Sequence, residues 1–315
     1  MTYFLYITIV WILLSSVYLL RLRARQLALR TGMVQMLLLP FLAFVCAKLF
    51  YVILLFSRSV SRYGIACLWQ TEPETFSFLG GCVGACLAVL AGAGMTKQPV
   101  SRYADLFAAP GAFCVALLRL GEGLFPEEMF DLGLGSWIEH EQYAFFPLSV
   151  QADDDFRIVA SGGDWFLAVF LWSAILSLAV GVIILILSRK KHPDGCVFRR
   201  TVFGLALVQI IPESFRALCM KWGFVRIEQV LCAVIILLLL ILSCRKSRNP
   251  FRKWIRIPLL SFLGFGICVA VEIALDKSTL PFLLLYGIMF LTLVGQLLLE
   301  HKALRQEKEP PSGEA

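Results

Sequence analysis

Apolar residues in this chain come in long unbroken blocks separated by short polar connectors, with little of the alternation that marks a strand or a half-buried helix. A bilayer core takes about 20 apolar helical residues. On that rule nine spans fall at 3–20, 33–56, 76–95, 106–125, 165–188, 202–220, 226–243, 257–275 and 281–299. The pattern predicts an all-α polytopic membrane protein. The connectors after spans 1, 3, 5 and 7 contain "RLRAR", "TKQPVSR", "SRKKHPDGCVFRR" and "CRKSRNPFRKWIR". Those between them are poor in Lys and Arg, and the long one, 126–164, is acidic, with "FPEEMFD" at its start and "QADDDF" further on. Basic connectors stay in the cytoplasm, so the N-terminus is expected outside and the C-terminus inside. The tail 300–315 is then cytoplasmic and disordered at its end. The first block has no basic leader and no small-residue cleavage site, so it reads as a retained span.

Composition agrees with lipid as the solvent. The chain is 59% hydrophobic and 16% charged, with a mean hydropathy of +0.80. A soluble domain of this length has too much surface to hide that apolar area. The net charge of +7 sits in the connectors, where it reports orientation, and with no RNA or DNA motif present nucleic acid is excluded as a partner. The ten cysteines are scattered singly, mostly within apolar runs, and read as small buried hydrophobes. Cys82 and Cys86 are four apart without a His or a second Cys pair nearby, so neither a metal site nor a cofactor is expected.

Charges inside the spans change the picture. "ALLRLGEGLF", 116–125, carries Arg119 and Glu122 where hydrocarbon should exclude them, and Lys48, Glu213 and Arg216 are placed likewise. Ionisable residues at membrane depth are costly and mark function by default. Spans 2, 4 and 6 run the same way, and these residues precede the outer ends of their spans by a few positions. At about 1.5 Å per residue their backbones lie within about 12 Å of the outer surface. Span 3 opens "FSFLGGCVGAC", where Gly80, Gly81 and Gly84 permit close approach, and span 7 opens "VRIEQVLC", bringing Arg226, Glu228 and Gln229 to the same layer. Glu272, near the outer end of span 8, reads as an interfacial residue with no special role. Arg119 with Glu122, and Glu213 with Arg216, stand at i,i+3 spacing and can pair within their helices or across them. Three cations against two carboxylates leave one positive charge over, which suits an anionic lipid headgroup; a purely structural network is the alternative. A transporter would distribute charges through the full depth, and these lie in the outer half.

Five segments, in this order, resemble the prolipoprotein diacylglyceryl transferase family. "AKLFYVI" is similar to the family's G-R-I-G-Y, with Lys48 for arginine and Tyr51 kept; "FSFLGGCVGA" looks like its S-F-H-G-G segment. "DLFAAPGAFCVALLRLGEG" resembles D-x-I-A-P-G followed by G-R-x-G-N-F, with Asp105 and Arg119 in register and the proline displaced by one to Pro110. "QIIPESFR" matches R-x-x-x-E-x-x-R at Glu213 and Arg216, and "VRIEQVL" is similar to R-x-S-Q-x-L. Three positions depart: Leu79 replaces the family's histidine, Glu122 its asparagine, and Gln209 its first arginine. None of His140, His192 or His301 replaces the lost histidine by spacing.

The resemblance covers 1–245 and implies a seven-helix core, with 246–299 as two additional helices. It implies a multi-pass protein of the bacterial inner membrane that moves diacylglycerol from phosphatidylglycerol, or another anionic phospholipid, onto the cysteine of a lipoprotein signal peptide. Arg119, Glu213 and Arg216 are then the catalytic candidates, with Lys48, Tyr51, Gly80, Gly81, Gly121, Glu122, Gln209 and Gln229 around the lipid. Arg119 and Arg216 are expected to point into an outward cavity and hold the phosphate, with Glu213 orienting one of them. The thiol proton falls to Glu213, Glu122 or water. The alternative is an inactive or repurposed paralogue that binds anionic lipid or a membrane partner. The connector 126–164 reads equally as a lid or as a solvated loop.

Overall fold

The computed structural model describes residues 3–55, 64, 66, 69, 75–125, 133–138, 141–154, 157–190, 192–216, 219–222, 225–245, 252–277 and 281–308. Among these are nine long helices: α1 (Tyr3–Ala24), α2 (Leu29–Leu54), α3 (Phe78–Met95), α4 (Val100–Leu124), α5 (Val169–Leu187), α6 (Cys196–Phe215), α7 (Ile227–Arg245), α8 (Arg252–Lys277) and α9 (Phe282–Lys308). Eight are long and apolar enough to cross a membrane. The exception is α6, whose 20 residues include Arg199, Arg200, Gln209 and Glu213. The chain is an all-α polytopic membrane protein. His140 and most of "FPEEMFD" lie outside the described residues, as does the end of the tail.

Two compact units divide the chain: 1–208 with 215–220, and 209–214 with 221–315. In the first, α1 presents Val10, Leu14, Tyr18 and Leu22 as one buried stripe at i,i+4 spacing, while Phe4, Leu13 and Leu20 face outward. The stripe packs with Met36 and Leu39 of α2, Ala88, Val89 and Ala93 of α3, and Tyr103, Ala104 and Phe107 of α4. Small residues set the closest approach. A Cβ on Gly84 would run into the backbone of Leu42 and Ala43, and one on Gly80 would lie 2.8 Å from the Cys46 carbonyl oxygen, so α3 rests directly on α2. Polar groups in this core are satisfied internally, as lipid demands: Tyr18 donates to Gln35 at 2.7 Å, and the Gln35 amide donates to the Val89 carbonyl at 2.7 Å.

The start of α6 is set from another helix. Gly195, at φ +83°, precedes it, and no side chain of its own caps it. Asp105 of α4 accepts from the Gly195 and Phe198 amides at 2.7 and 2.8 Å, satisfying donors that the first turn leaves open. This non-local cap puts the helix start at Cys196 rather than at 202, because the basic first turn hides the boundary from hydropathy.

The described part of the acidic connector carries a small sheet. Its strands β1 (Ser149–Ala152), β2 (Ile158–Val159) and β3 (Asp164–Leu167) form an antiparallel sheet in the order β2-β1-β3, with Ser149 opposite Leu167 and Ala152 opposite Asp164. Leu134, Val150, Ala152, Ala168 and Phe170 give it a small core against Leu120 of α4. In the second unit, β4 (Lys221–Trp222) and β5 (Val225–Arg226) pair antiparallel before α7, which packs with α8 and α9. Ile227, Cys232, Ile236, Leu240 and Cys244 line the buried side of α7. Ser261 of α8 donates to Gln296 of α9 at 2.7 Å, tying the last two helices together. Helix α9 runs on to Lys308, beyond the predicted end of its span at 299, since "EHKALRQEK" is made of good helix formers.

Candidate functional site

In the first unit, i,i+3 spacing on α4 puts Arg119 and Glu122 on one face. Arg119 is 1% exposed and Glu122 5%. Arg119 Nη1 donates to Glu122 Oε1 at 2.5 Å, and the other carboxylate oxygen accepts from Arg216 Nη2 at 2.6 Å. Arg216 stands where α6 ends, at φ −64° and ψ 131°, and this extended geometry lets its backbone bridge to Gly135 of the connector. One carboxylate thus clasps two guanidiniums from segments 94 residues apart. A lone guanidinium at this depth would carry a desolvation penalty of several kcal/mol, which the shared carboxylate offsets.

Glu122 takes only one terminal nitrogen of Arg119. The Nε and Nη2 atoms on the other edge are buried and have no hydrogen-bond partner among the described residues. A buried donor left unmade costs about 1–3 kcal/mol. That edge is the planar fork that matches two oxygens of a carboxylate or phosphate. The guanidinium is held flat by the ring of Phe78, 3.4 Å from Arg119 Cζ to the ring centroid.

The residues leading into α3 seat a third cation. Lys48 Nζ donates to Thr75 Oγ1 at 2.9 Å and lies 4.8 Å from the Phe76 ring centroid and 5.6 Å from that of Tyr51. Ser77 fixes this segment: its amide donates to the Ala47 carbonyl at 3.1 Å, and its hydroxyl caps α3 by accepting from Gly80 N at 3.0 Å. Gly80 faces the α2 backbone, while a Cβ on Gly81 would make ordinary contact with Ala47. Gly121 lies against the rings of Tyr3 and Tyr6, which pack with Phe125 and dock the start of α1 on the end of α4. The connector reaches the cluster too, since a Cβ on Gly133 would come within 3.0 Å of the Glu122 backbone. Leu79 is buried and offers no polar atom.

A second polar cluster belongs to the second unit. Glu213, 2% exposed, accepts from the Gln209 amide at 3.3 Å, and its backbone carbonyl accepts from Arg226 Nη1. The Gln229 amide lies 2.9 Å from the Ile210 carbonyl, 2.7 Å from Ser214 Oγ and 3.1 Å from Glu272 Oε1. Glu272 also accepts from the Ser214 hydroxyl, and its second oxygen is 3.8 Å from Arg226 Nε. The expectation for Glu272 is therefore corrected. It is 17% exposed and engaged by three polar side chains from α6, β5 and α7.

The structure thus joins Arg119, Glu122 and Arg216 in one group, Lys48 and Tyr51 in another, and Gln209, Glu213 and Gln229 in a third. Sequence reasoning missed Thr75, Phe76 and Phe78. Their signal was the aromatic pair in "TFSF" directly before a glycine-rich helix start, beside a span that carries a lysine among apolar residues.

Comparison with known proteins gives two findings. The sequence model of the family described as "Prolipoprotein diacylglyceryl transferase" matches residues 2–245. A protein of Clostridium novyi (strain NT) named phosphatidylglycerol–prolipoprotein diacylglyceryl transferase is 24% identical over 220 residues, covering 68% of this chain and 80% of its own length.

Proposed function

Because the chain belongs to the prolipoprotein diacylglyceryl transferase family, we propose that it transfers diacylglycerol from phosphatidylglycerol to the cysteine thiol of a lipoprotein signal peptide in the bacterial inner membrane. The observation that carries this reading is the buried Arg119–Glu122–Arg216 cluster with the Nε–Nη2 edge of Arg119 open. In the reaction the sulfur attacks the glycerol carbon that bears the phosphate. The S–C bond forms, the C–O bond to phosphate breaks, and glycerol 1-phosphate leaves with the electron pair. The arginines meet the charge that grows on the departing oxygens, and they do so pre-aligned, since Glu122 and Phe78 fix them before any ligand arrives.

The thiol proton needs an acceptor. Both oxygens of Glu122 are already engaged by cations, and protonating it would forfeit one of those short bonds. Glu213 is the better assignment: a buried carboxylate one helical turn before Arg216 in the chain. Lys48, with Tyr51 beside it, supplies further positive charge at the α2 wall.

One observation favours a second reading, an inactive member that still binds anionic lipid. Leu79 stands buried where the family carries histidine, and the described His192 is engaged at the Leu187 carbonyl. One experiment separates the two. The protein is placed in phosphatidylglycerol bilayers with a peptide bearing the signal-peptide cysteine, and peptide mass is followed beside Arg119→Ala. Transfer that drops at least about 100-fold in the variant supports the enzyme, by analogy with loss of one oxyanion donor. Lipid binding without transfer in the parent protein selects the inactive member.

A further inference from the structure

The matched family region ends at residue 245, and α8 begins at Arg252. Yet α8 supplies a carboxylate to residues that lie inside the matched region. Glu272 accepts from the Ser214 hydroxyl, lies 3.1 Å from the Gln229 amide and is 3.8 Å from Arg226. Those partners meet the end of α6. Arg226 donates to the Glu213 carbonyl, and Gln229 donates to the Ile210 carbonyl at 2.9 Å. The Glu213 carbonyl is among the last four of a helix ending at Phe215, which have no intrahelical donor. A buried helix end needs such partners, and here they are side chains that Glu272 contacts in turn.

The chemistry of the set is directional. Arg226 and Gln229 donate to carbonyls at one helix end, and an anion beside them sets how the two side chains are aimed. Glu272 is that anion: one oxygen serves Ser214 and Gln229, and the other faces Arg226. All of these residues belong to one compact unit, which also contains Gln209 and Glu213. Helix α8 is itself anchored on α9 through Ser261 and Gln296, so the carboxylate is delivered by a braced helix pair.

We propose that Glu272 is a positioning residue for Glu213, and that the α8–α9 pair is a working part of the transferase rather than an appendage to it. The inference rests on the reading that Glu213 serves the transfer. Glu272 acts through Arg226 and Gln229, which fix the last turn of α6 and with it the aim of the Glu213 side chain.

The test uses the full chain in phosphatidylglycerol-containing nanodiscs, as the parent protein, Glu272→Ala and Glu272→Gln. Transfer kinetics and amide hydrogen exchange over 209–216 are measured on the same preparations. In Glu272→Ala, kcat falls by about 10- to 100-fold, the cost of a misplaced catalytic group. KM for phosphatidylglycerol stays within about twofold, because Glu122 still holds Arg119 and Arg216, while exchange over 209–216 rises. Glu272→Gln falls less, since its amide oxygen still accepts from Ser214 and Gln229, and it carries the test if the alanine variant does not fold. Unchanged exchange overturns the inference whatever the rate does. So does a kcat that holds while exchange rises. A parent protein with no transfer defeats the proposed reaction instead, and the exchange arm then decides the positioning role by itself.

Discussion

A glutamate beside an arginine that is meant to hold a phosphate ought to repel the ligand. Glu122 does not leave its charge exposed to do so, because each oxygen is taken by a different guanidinium, at 2.5 and 2.6 Å. Two cations and one carboxylate leave a single positive charge, which matches a phosphodiester. Glu122→Ala would leave two buried guanidiniums facing each other, and breaking a buried pair in this way costs about 3–5 kcal/mol. Thermal unfolding in detergent should register that loss. Added phosphatidylglycerol should restore much of it in this variant, by supplying the missing anion, whereas zwitterionic lipid should not. Equal responses to the two lipids would mean that the arginines do not see the phosphate. The arginines and both carboxylates were legible as costly charges in apolar runs. Pairing within α4 and pairing between the two spans were both open from spacing alone; the structure makes both at once, through the two oxygens of Glu122.

At the scale of elements, the helices were legible wherever apolar length decided them and obscure wherever a partner did. Helix α6 begins six residues before its predicted start because Asp105 of α4 caps it from outside, a contact that no local pattern announces. Asp105→Ala should destabilise the protein by about 1–2 kcal/mol, the range for losing a helix cap, read as a lower unfolding midpoint. An unchanged midpoint would mean that the first turn of α6 finds other acceptors. The sheet of the acidic connector escaped notice for a different reason. Its strands are two to four residues long, too short for a period of two to show. The aromatic side chains Trp137, Tyr143, Phe145 and Phe146 stay exposed on that connector, as residues at a membrane interface do.

For the whole molecule, hydropathy was enough to read an all-α polytopic membrane protein, and the resemblance was enough to name the family to which the chain belongs. Neither reached Glu272, because the resemblance stopped before the last two helices and a carboxylate near a span end looked like an interfacial one. The basic and acidic connectors also predict one orientation for the chain, which is directly testable. A periplasm-active phosphatase fused after Ser161 should be active and one fused after His192 inactive. The reverse result would place the arginine cluster in the other leaflet. The cap on α6 carries a consequence for how the protein is built. Its carboxylate lies on a helix that leaves the ribosome well before the helix it serves, so when α6 enters the membrane its receptor is waiting. A rearranged chain that made α6 first would have to insert that helix with its leading amides open, and would show the defect as slow or failed insertion rather than as a weaker final fold.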